Sequence, residues 1–336
     1  MGWGNPKTSE SKWLDEEQRE LDRLADEAPA YLMRNAPQEK DAVLMARIEK
    51  IMQADGMEGG FCAMHLAEAI FGEKLAWKHQ LIGSCVASGD MRTTTYRMLA
   101  EIFVYNQAEQ LPGVDIDGVD SIPFFAPFNY RAGRSEANIS GYSDGSLCVP
   151  HIRGKMKRGH LPCSTPNIKS DRYPEPKNQS LYREWGAYNS LCEPHYKTAA
   201  KFPLVTSEKV TSADQAKEIL CETLAPLNIC SSWGFQPDYT HPTWQLADGQ
   251  KVVIYKRRGT WHHNMSVVGF TTHGNREFVI IENSWPENFH RNGRWFAIPA
   301  TLFDTWLRQA QCQSVGELDL TDSPPVFPAS PSEEKD

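Results

Sequence analysis

The pattern of apolar and polar positions predicts helices through the first part of the chain. Apolar residues recur at helical spacing over 11–55 and again over 88–105. A short basic helix is predicted over 152–158, with Gly159 as its end. Residues 106–145 are rich in Gly, Pro, Asn and Asp, and this composition predicts loops with short strands.

The second part of the chain has a different pattern. One helix is predicted over 211–224, near a cap at Ser212 or Asp214, and a final helix over 301–311. Between them, short apolar segments are separated by Pro, Gly and Asn, as in an antiparallel sheet or half-barrel. The predicted strands are 227–230, 252–255, 266–270, 278–281 and 295–298.

These patterns divide the chain into three predicted regions. Residues 1–58 form a helical N-terminal extension, which we interpret as a packed helical segment, an inhibitory prosegment or an arm that docks on a larger assembly. Residues 59–320 form the main domain, with a helical half at about 59–165 and a β-rich half at about 200–320. The proline- and serine-bearing tail, 321–336, is predicted to be disordered.

Composition excludes several classes of function. With 40% hydrophobic and 23% charged residues, the chain has the balance of a soluble globular protein. Its net charge of −8 argues against nucleic acid or an anionic membrane as the main partner. No apolar run approaches the roughly 20 residues of a membrane span, and the N-terminus lacks a secretory signal pattern. We therefore expect a cytoplasmic or virion-associated protein.

The eight cysteines are irregularly spaced, which favours mostly reduced thiols over a disulfide framework. Three Cys/His pairs nevertheless have spacings compatible with zinc: Cys148 with His151, His160 with Cys163, and Cys192 with His195. Unrelated core and loop residues are the preferred interpretation, because a basic helix separates the first two pairs. We predict neither a metal nor a cofactor.

Three residues in the chain have the side chains that a thiol nucleophile, its general base and an orienting residue require. Cys85 stands at the mouth of a predicted helix, His263 opens a predicted strand, and Asn283 precedes Ser284 and Trp285. A thiol is a good nucleophile near neutral pH only as the thiolate, which a helix N-terminus and a neighbouring imidazolium both favour. This order of residues, from distant parts of the chain, predicts a Cys–His–Asn site.

Each residue has an expected role in such a site. His263 would form an ion pair with Cys85 and then protonate the leaving amine. Asn283 would hold the imidazole ring in position, and Trp285 would shield that hydrogen bond from water. Gly83, with Ser84 after it, would allow the tight backbone entry into the helix.

At these positions the chain resembles the papain-like cysteine peptidases. Gly83-Ser84-Cys85, the run 263–270 and Glu282-Asn283-Ser284-Trp285 are similar to the three segments around that family's catalytic residues. The chain resembles most a divergent bacterial and phage branch with Gly-Ser-Cys-Val, Asp-Gly-Ser and Trp-x-His-x-Met motifs, matched here by 83–86, 144–146 and 261–265.

The resemblance covers roughly residues 75–315 and implies a fold class as well as an activity. The implied fold is α+β and papain-like, with a helical left subdomain, an antiparallel β-rich right subdomain and a cleft between them. The implied reaction is cleavage of peptide or amide bonds in a protein or peptide substrate, through an acyl-enzyme on Cys85.

The chain departs from the family pattern at the oxyanion position. The family's glutamine usually lies six residues before the nucleophile, where this chain has His79, and Gln80 lies one residue later. Gln80 with the backbone N–H of Cys85 is one way to form an oxyanion hole, and His79 is another. Pro286 also replaces the family's glycine after Asn-Ser-Trp.

Two alternatives to a general peptidase remain open at this point. One is a non-catalytic structural or binding protein, such as a phage virion component, that retains the papain-like scaffold. The other is an amidase that acts on cell-wall peptide crosslinks.

Overall fold

The computed structural model describes Arg19, Arg23 and residues 40–77, 80, 82–105, 118–120, 123–166, 168, 179–204, 207–241, 243–285 and 294–315. Helices dominate the sequence up to residue 223, and strands dominate it afterwards. The helices are α1 (Ala42–Ala54), α2 (Ala63–Phe71), α3 (Cys85–Leu99), α4 (Ala126–Glu136), α5 (Cys148–Arg158), α6 (Gln179–Ala187), α7 (Tyr196–Ala199), α8 (Ala213–Glu218) and α9 (Ala300–Leu307).

One sheet collects the strands of the described residues. They are β1 (Glu58–Cys62), β2 (Leu227–Pro237), β3 (Trp244–Gln245), β4 (Lys251–His273), β5 (Arg276–Glu282), β6 (Trp295–Pro299) and β7 (Gln311–Ser314). The order along the sheet is β5-β6-β4-β2-β7, and β1 and β3 also pair with β4. All pairings are antiparallel except β4 with β6. The predicted α+β class, with a helical and a β-rich part, is confirmed.

The predicted strands all lie in the sheet, but two of them are one strand. Segments 252–255 and 266–270 belong to the single strand β4, which continues through 256–265. β2 pairs with it along that stretch, with register shifts near Trp233 and positive φ angles at Gly259 and His262. Strand β7, next to β2, was not predicted from the sequence.

The prediction of loops and short strands over 106–145 is wrong for helix α4. Pro127 lies in the first turn of α4, where its missing N–H costs nothing. Gly133 lies inside α4 because α5 packs closely there: a Cβ on Gly133 would be 2.6 Å from Nδ1 of His151. Residues that read as loop formers therefore serve helix packing.

Residues 40–58 of the predicted N-terminal extension pack as part of the main core. Ile48 and Met52 of α1 are buried in it, and β1 pairs with β4 at Phe61 and Cys62. The predicted helical face before residue 40 and the tail 321–336 lie outside the described residues.

Within the described ranges, no helix is both long enough and apolar enough to cross a membrane.

Candidate active site

The sheet brings two of the three predicted site residues together. His263 lies in β4, and Asn283 directly follows β5, which pairs antiparallel with β4 from Ser266 and Glu282 onward. The ring Nε2 of His263 lies 2.8 Å from Oδ1 of Asn283. Both residues are buried, at 4% and 2% exposure, so water does not compete for this hydrogen bond.

Aromatic side chains enclose the pair. The ring of Trp285 stacks on that of His263, with centroids 4.1 Å apart. The backbone N–H of Trp285 also donates to Oδ1 of Asn283 at 3.2 Å, and the indole N–H of Trp77 donates to the Asn283 carbonyl at 2.9 Å. The Asn283 side chain is thereby fixed as an acceptor toward the histidine ring.

Cys85 is the first residue of α3, as predicted, and its side chain is half-buried. Burial raises the pKa of the Cys85 thiol, and the backbone N–H groups of Asn264, Val86 and Cys85 itself offset part of that rise. Since Asn264 follows His263, the peptide group that joins these two residues faces the thiol. The structure therefore brings Cys85 next to the segment of β4 that carries His263.

Gly83 and Ser84 lead into α3 through a crowded turn. Ser84 is buried and precedes the helix, and its N–H donates to the Ile82 carbonyl at 2.7 Å. A Cβ on Gly83 would lie 2.9 Å from Cβ of Asp144, so the turn at 143–146 packs directly on the backbone before Cys85. Glycine is needed here for this close approach.

Gln80 is held at the same end of the site. Its backbone N–H donates to the Ser284 carbonyl at 2.8 Å, and its Oε1 accepts from the Ser284 hydroxyl at 2.6 Å. Its Nε2 donates to the Ile82 carbonyl at 3.1 Å. Gln80 thus links the segment after Asn283 to the turn before Cys85. The alternative donor His79, and Pro286, lie outside the described residues.

A buried ionic network, which was not predicted from the sequence, links the end of β5, next to Asn283, to helix α3, which begins at Cys85. Glu282 accepts from Nε of Arg294 at 2.6 Å and lies 3.1 Å from Nε of Arg92. The hydroxyl of Tyr96 donates to its other oxygen at 3.0 Å. Burial alone would raise the pKa of Glu282, but Arg294 and Arg92 outweigh it and lower that pKa. Arg92 and Tyr96 are four residues apart and so lie on one face of α3, and this spacing is the pattern in the sequence that could have indicated the network.

Cys148 and Cys230 form a disulfide in the structure, with Cα atoms 6.3 Å apart. The six other cysteines are free, so the expectation of mostly reduced thiols stands, with Cys148 and Cys230 as the exception. The reason is tertiary: residue 148 starts α5 and residue 230 lies in β2, two elements that meet only in the fold.

The candidate zinc pairs are not assembled into one group in the described part of the chain. His151 bonds Asp90 at 3.1 Å, and His160 lies 2.9 Å from the Phe202 carbonyl. Burial lowers the pKa of His160 to about 3. The one His/Asp/Glu group compact enough for a cation there, Asp55 with His65 and Glu68, already surrounds the ammonium of Lys74.

No protein-family model and no curated protein matches the chain. Among solved structures, it is similar to xylellain, a cysteine protease from Xylella fastidiosa, with 14% identity over 84% of this chain and 92% of that one, at a TM-score of 0.49. It is also similar to digestive procathepsin L 3 of the Tenebrio molitor larval midgut, with 11% identity over 94% of both chains and a TM-score of 0.44. A third similar structure is procathepsin B S9 from Trypanosoma congolense, with 11% identity over 78% of both chains and a TM-score of 0.46.

Proposed function

We propose that this protein is a papain-like thiol hydrolase that cleaves peptide or amide bonds through an acyl-enzyme on Cys85. The observation that carries the proposal is the buried hydrogen bond of 2.8 Å between His263 and Asn283. The residue after His263, Asn264, directs its backbone N–H at the Cys85 thiol. A histidine fixed by an acceptor on one ring nitrogen, beside a thiol at a helix N-terminus, is the arrangement required for nucleophilic thiol catalysis.

The proposed reaction starts with proton transfer from Cys85 to His263. Asn283 engages Nε2, so the proton would pass to Nδ1. Because burial disfavours an isolated thiolate at Cys85, the ion pair with the imidazolium is what would make the nucleophile available. The thiolate attacks the substrate carbonyl, His263 protonates the leaving amine, and water then hydrolyses the acyl-enzyme with His263 as base.

Charge on the tetrahedral intermediate needs donors. Cys85 is the first residue of α3, so its backbone N–H has no hydrogen-bond acceptor within the helix and can donate to the oxyanion. Gln80 would supply the second donor through the Nε2 hydrogen that does not point to Ile82. Its tether to Ser284 supports this role, because a fixed donor requires no reorganisation during the reaction.

The motifs at 83–86, 144–146 and 261–265 support a place in the divergent bacterial and phage branch. A virion-associated or cytoplasmic location, a protein or peptide substrate, and an assembly partner for residues 1–58 remain part of this proposal. Scaffold retention without catalysis and an amidase specific for cell-wall crosslinks are outcomes that the following test distinguishes.

The test is labelling with a papain-directed epoxide across pH, mapped by mass spectrometry, together with hydrolysis of peptide libraries and cell-wall fragments. We expect selective modification of Cys85 beginning well below about 8.5, the pKa of a free thiol. His263→Ala should move the onset above that value, because burial then acts on the thiol without the imidazolium. Cys85→Ala should abolish both labelling and hydrolysis.

Cys163 provides a matched control, because it is also half-buried and free. Burial raises its pKa to about 12, so it should stay unlabelled, and Cys163→Ser should leave the profile of Cys85 unchanged. Cys85 labelling no faster than that of the other thiols, with no hydrolysis of either substrate class, would establish the scaffold alternative instead.

A further inference from the structure

The Cys148–Cys230 disulfide lies beside the part of β4 that carries His263, because Cys230 of β2 pairs with Asn264. Cys148 is the first residue of α5 and is 5% exposed, whereas Cys230 of β2 is half-buried. The two residues join the helical part of the molecule to the sheet, and their Cα separation of 6.3 Å lies within the range of natural disulfides.

Asn264 connects this disulfide to the nucleophile. Its side-chain Nδ2 donates to the sulfurs of Cys230 and Cys148 at 3.2 and 3.4 Å. Its backbone N–H faces the Cys85 thiol. In the β2–β4 pairing, Cys230 is also the direct partner of Asn264. A displacement at Cys230 is therefore transmitted to the strand that carries His263 and Asn264.

The carboxamide of Asn264 has a reason to change orientation when the disulfide opens. Its Oδ1 is buried and has no hydrogen-bond partner among the described residues, and the same holds for Oδ1 of Asn228. Both oxygens lie on the side of Gly89, at 2.0 and 3.6 Å from the position a Cβ there would take. A disulfide offers acceptors only, so Nδ2 must face it.

Two thiols change this balance, because each S–H can donate. With the carboxamide turned by half a rotation, its oxygen would accept from a thiol and its Nδ2 would face the Asn228 oxygen. Reduction also separates the sulfurs, since atoms that are not bonded cannot stay at the disulfide distance of about 2.05 Å. Both effects act on the side chain of Asn264, whose backbone N–H faces the Cys85 thiol.

We propose that Cys148 and Cys230 form a reversible thiol–disulfide site that holds Asn264 against Cys85, so that oxidation assembles the nucleophile's surroundings and reduction loosens them. The consequence for hydrolysis rests on the proposed function, whereas the bridge and its effect on the Cys85 thiol do not.

The oxidant for this step is a low-molecular-weight disulfide such as glutathione disulfide. The thiolate of Cys230, the more exposed of the two, attacks one sulfur of glutathione disulfide, and one glutathione leaves as thiolate. Cys148, favoured as thiolate by the N-terminus of α5, then attacks the Cys230 sulfur and releases the second glutathione. Two protein thiols are oxidised, and one glutathione disulfide is reduced to two thiols.

The experiment equilibrates the full chain in glutathione buffers of fixed ratio, desalts it, and maps the cysteines by mass. Fractions in which Cys85 carries no glutathione are alkylated with iodoacetamide across pH. We expect a Cys148–Cys230 crosslinked peptide in the oxidised form. The alkylation profile of Cys85 should then lie about one pH unit lower than in the dithiol form, which is about a tenfold faster reaction below the pKa.

Cys230→Ser should remove both the crosslink and the difference between the profiles, and Cys148→Ser is the second variant should the first fail to fold. Cys163→Ser, a half-buried thiol outside this pair, should retain both. Absence of the crosslink in the wild-type chain would overturn the proposal, as would a crosslink with superimposable Cys85 profiles. Alkylation by iodoacetamide measures the reactivity of the Cys85 thiol and does not require catalysis. A protein with shifted alkylation profiles but no hydrolase activity would therefore contradict the proposed function and leave the disulfide proposal intact.

Discussion

At the scale of single residues, Gly89 shows how closely the candidate site is packed. It lies one helical turn after Cys85 in α3, under the side chain of Asn264. A Cβ there would be 2.0 Å from Oδ1 of Asn264, whose carboxamide is already engaged by Cys148 and Cys230 on its other side. The absence of a side chain at position 89 is therefore a condition for Asn264 to reach the thiol.

We predict that Gly89→Ala lowers the free energy of unfolding. Helix propensity favours alanine by about 1 kcal/mol, but overpacking of a fixed neighbour costs about 1–3 kcal/mol, so the net loss should be about 1 kcal/mol. Urea unfolding followed by fluorescence measures it. Gly118→Ala, which meets no atom within 4 Å, should stay within about 0.5 kcal/mol of wild type. A stabilised Gly89→Ala chain would show that Asn264 is free to move.

At the scale of elements, the network around Glu282 fixes how β5 and α3 lie against each other. Arg92 and Tyr96 come from α3, and Arg294 directly precedes β6. Arg92 also donates to the Ala76 carbonyl at 2.7 Å, which extends the contact to the segment before Cys85. The next residue after Glu282 is Asn283, so the network sets the position of the candidate orienting residue.

We predict that Glu282→Gln lowers the free energy of unfolding by about 3 kcal/mol at pH 7, because two buried guanidinium groups lose their counter-charge. The folded-state pKa of Glu282 is lowered, so its contribution is complete above the unfolded carboxyl's pKa of about 4.3 and is lost as pH falls through the lower folded value. The gap between variant and wild type should therefore narrow below about pH 4. Urea unfolding at several pH values measures it.

The control is Glu277→Gln, which breaks an ion pair with Lys217 at the surface. Exposed pairs contribute about 0–1 kcal/mol, so this variant should remain close to wild type at every pH. If both variants lost the same small amount, the Glu282 carboxylate would not be the tie between the two elements.

At the scale of the whole molecule, α1 and β1 are part of the main core rather than an appendage to it. Ile48 and Met52 are 2% and 3% exposed. Asp55 bonds His65 at 2.8 Å and accepts from the Ala247 backbone at 2.7 Å. These contacts bear on the proposal that residues 1–58 are a removable prosegment or a docking arm.

We predict that a chain starting at Lys40 unfolds cooperatively, whereas one starting at Glu58 does not. Each buried aliphatic side chain that is lost costs about 2–5 kcal/mol, so losing Ile48 and Met52 approaches the total stability of about 5–15 kcal/mol for a typical domain. Calorimetry of the two chains compares them. A sharp unfolding transition in the shorter chain would show that the main domain folds without residues 40–57.

The sequence alone predicted the α+β class and the position of every strand except β1, β3 and β7, and it provided Cys85, His263 and Asn283 as the candidate site residues. It did so because apolar periodicity and helix ends are local properties, and because thiol chemistry needs particular residue types. It failed at α4, where glycine and proline serve close packing instead of loops.

Only the tertiary structure decided which residues meet. The continuity of β4, the Glu282 network, the disulfide between Cys148 and Cys230, and the tether of Gln80 to Ser284 all join residues far apart in the chain. No local pattern encodes such pairings, because they depend on the register of β4 and on how α3 and α5 pack over it. The chemistry of the site is thus present in the sequence, and its geometry is a property of the fold.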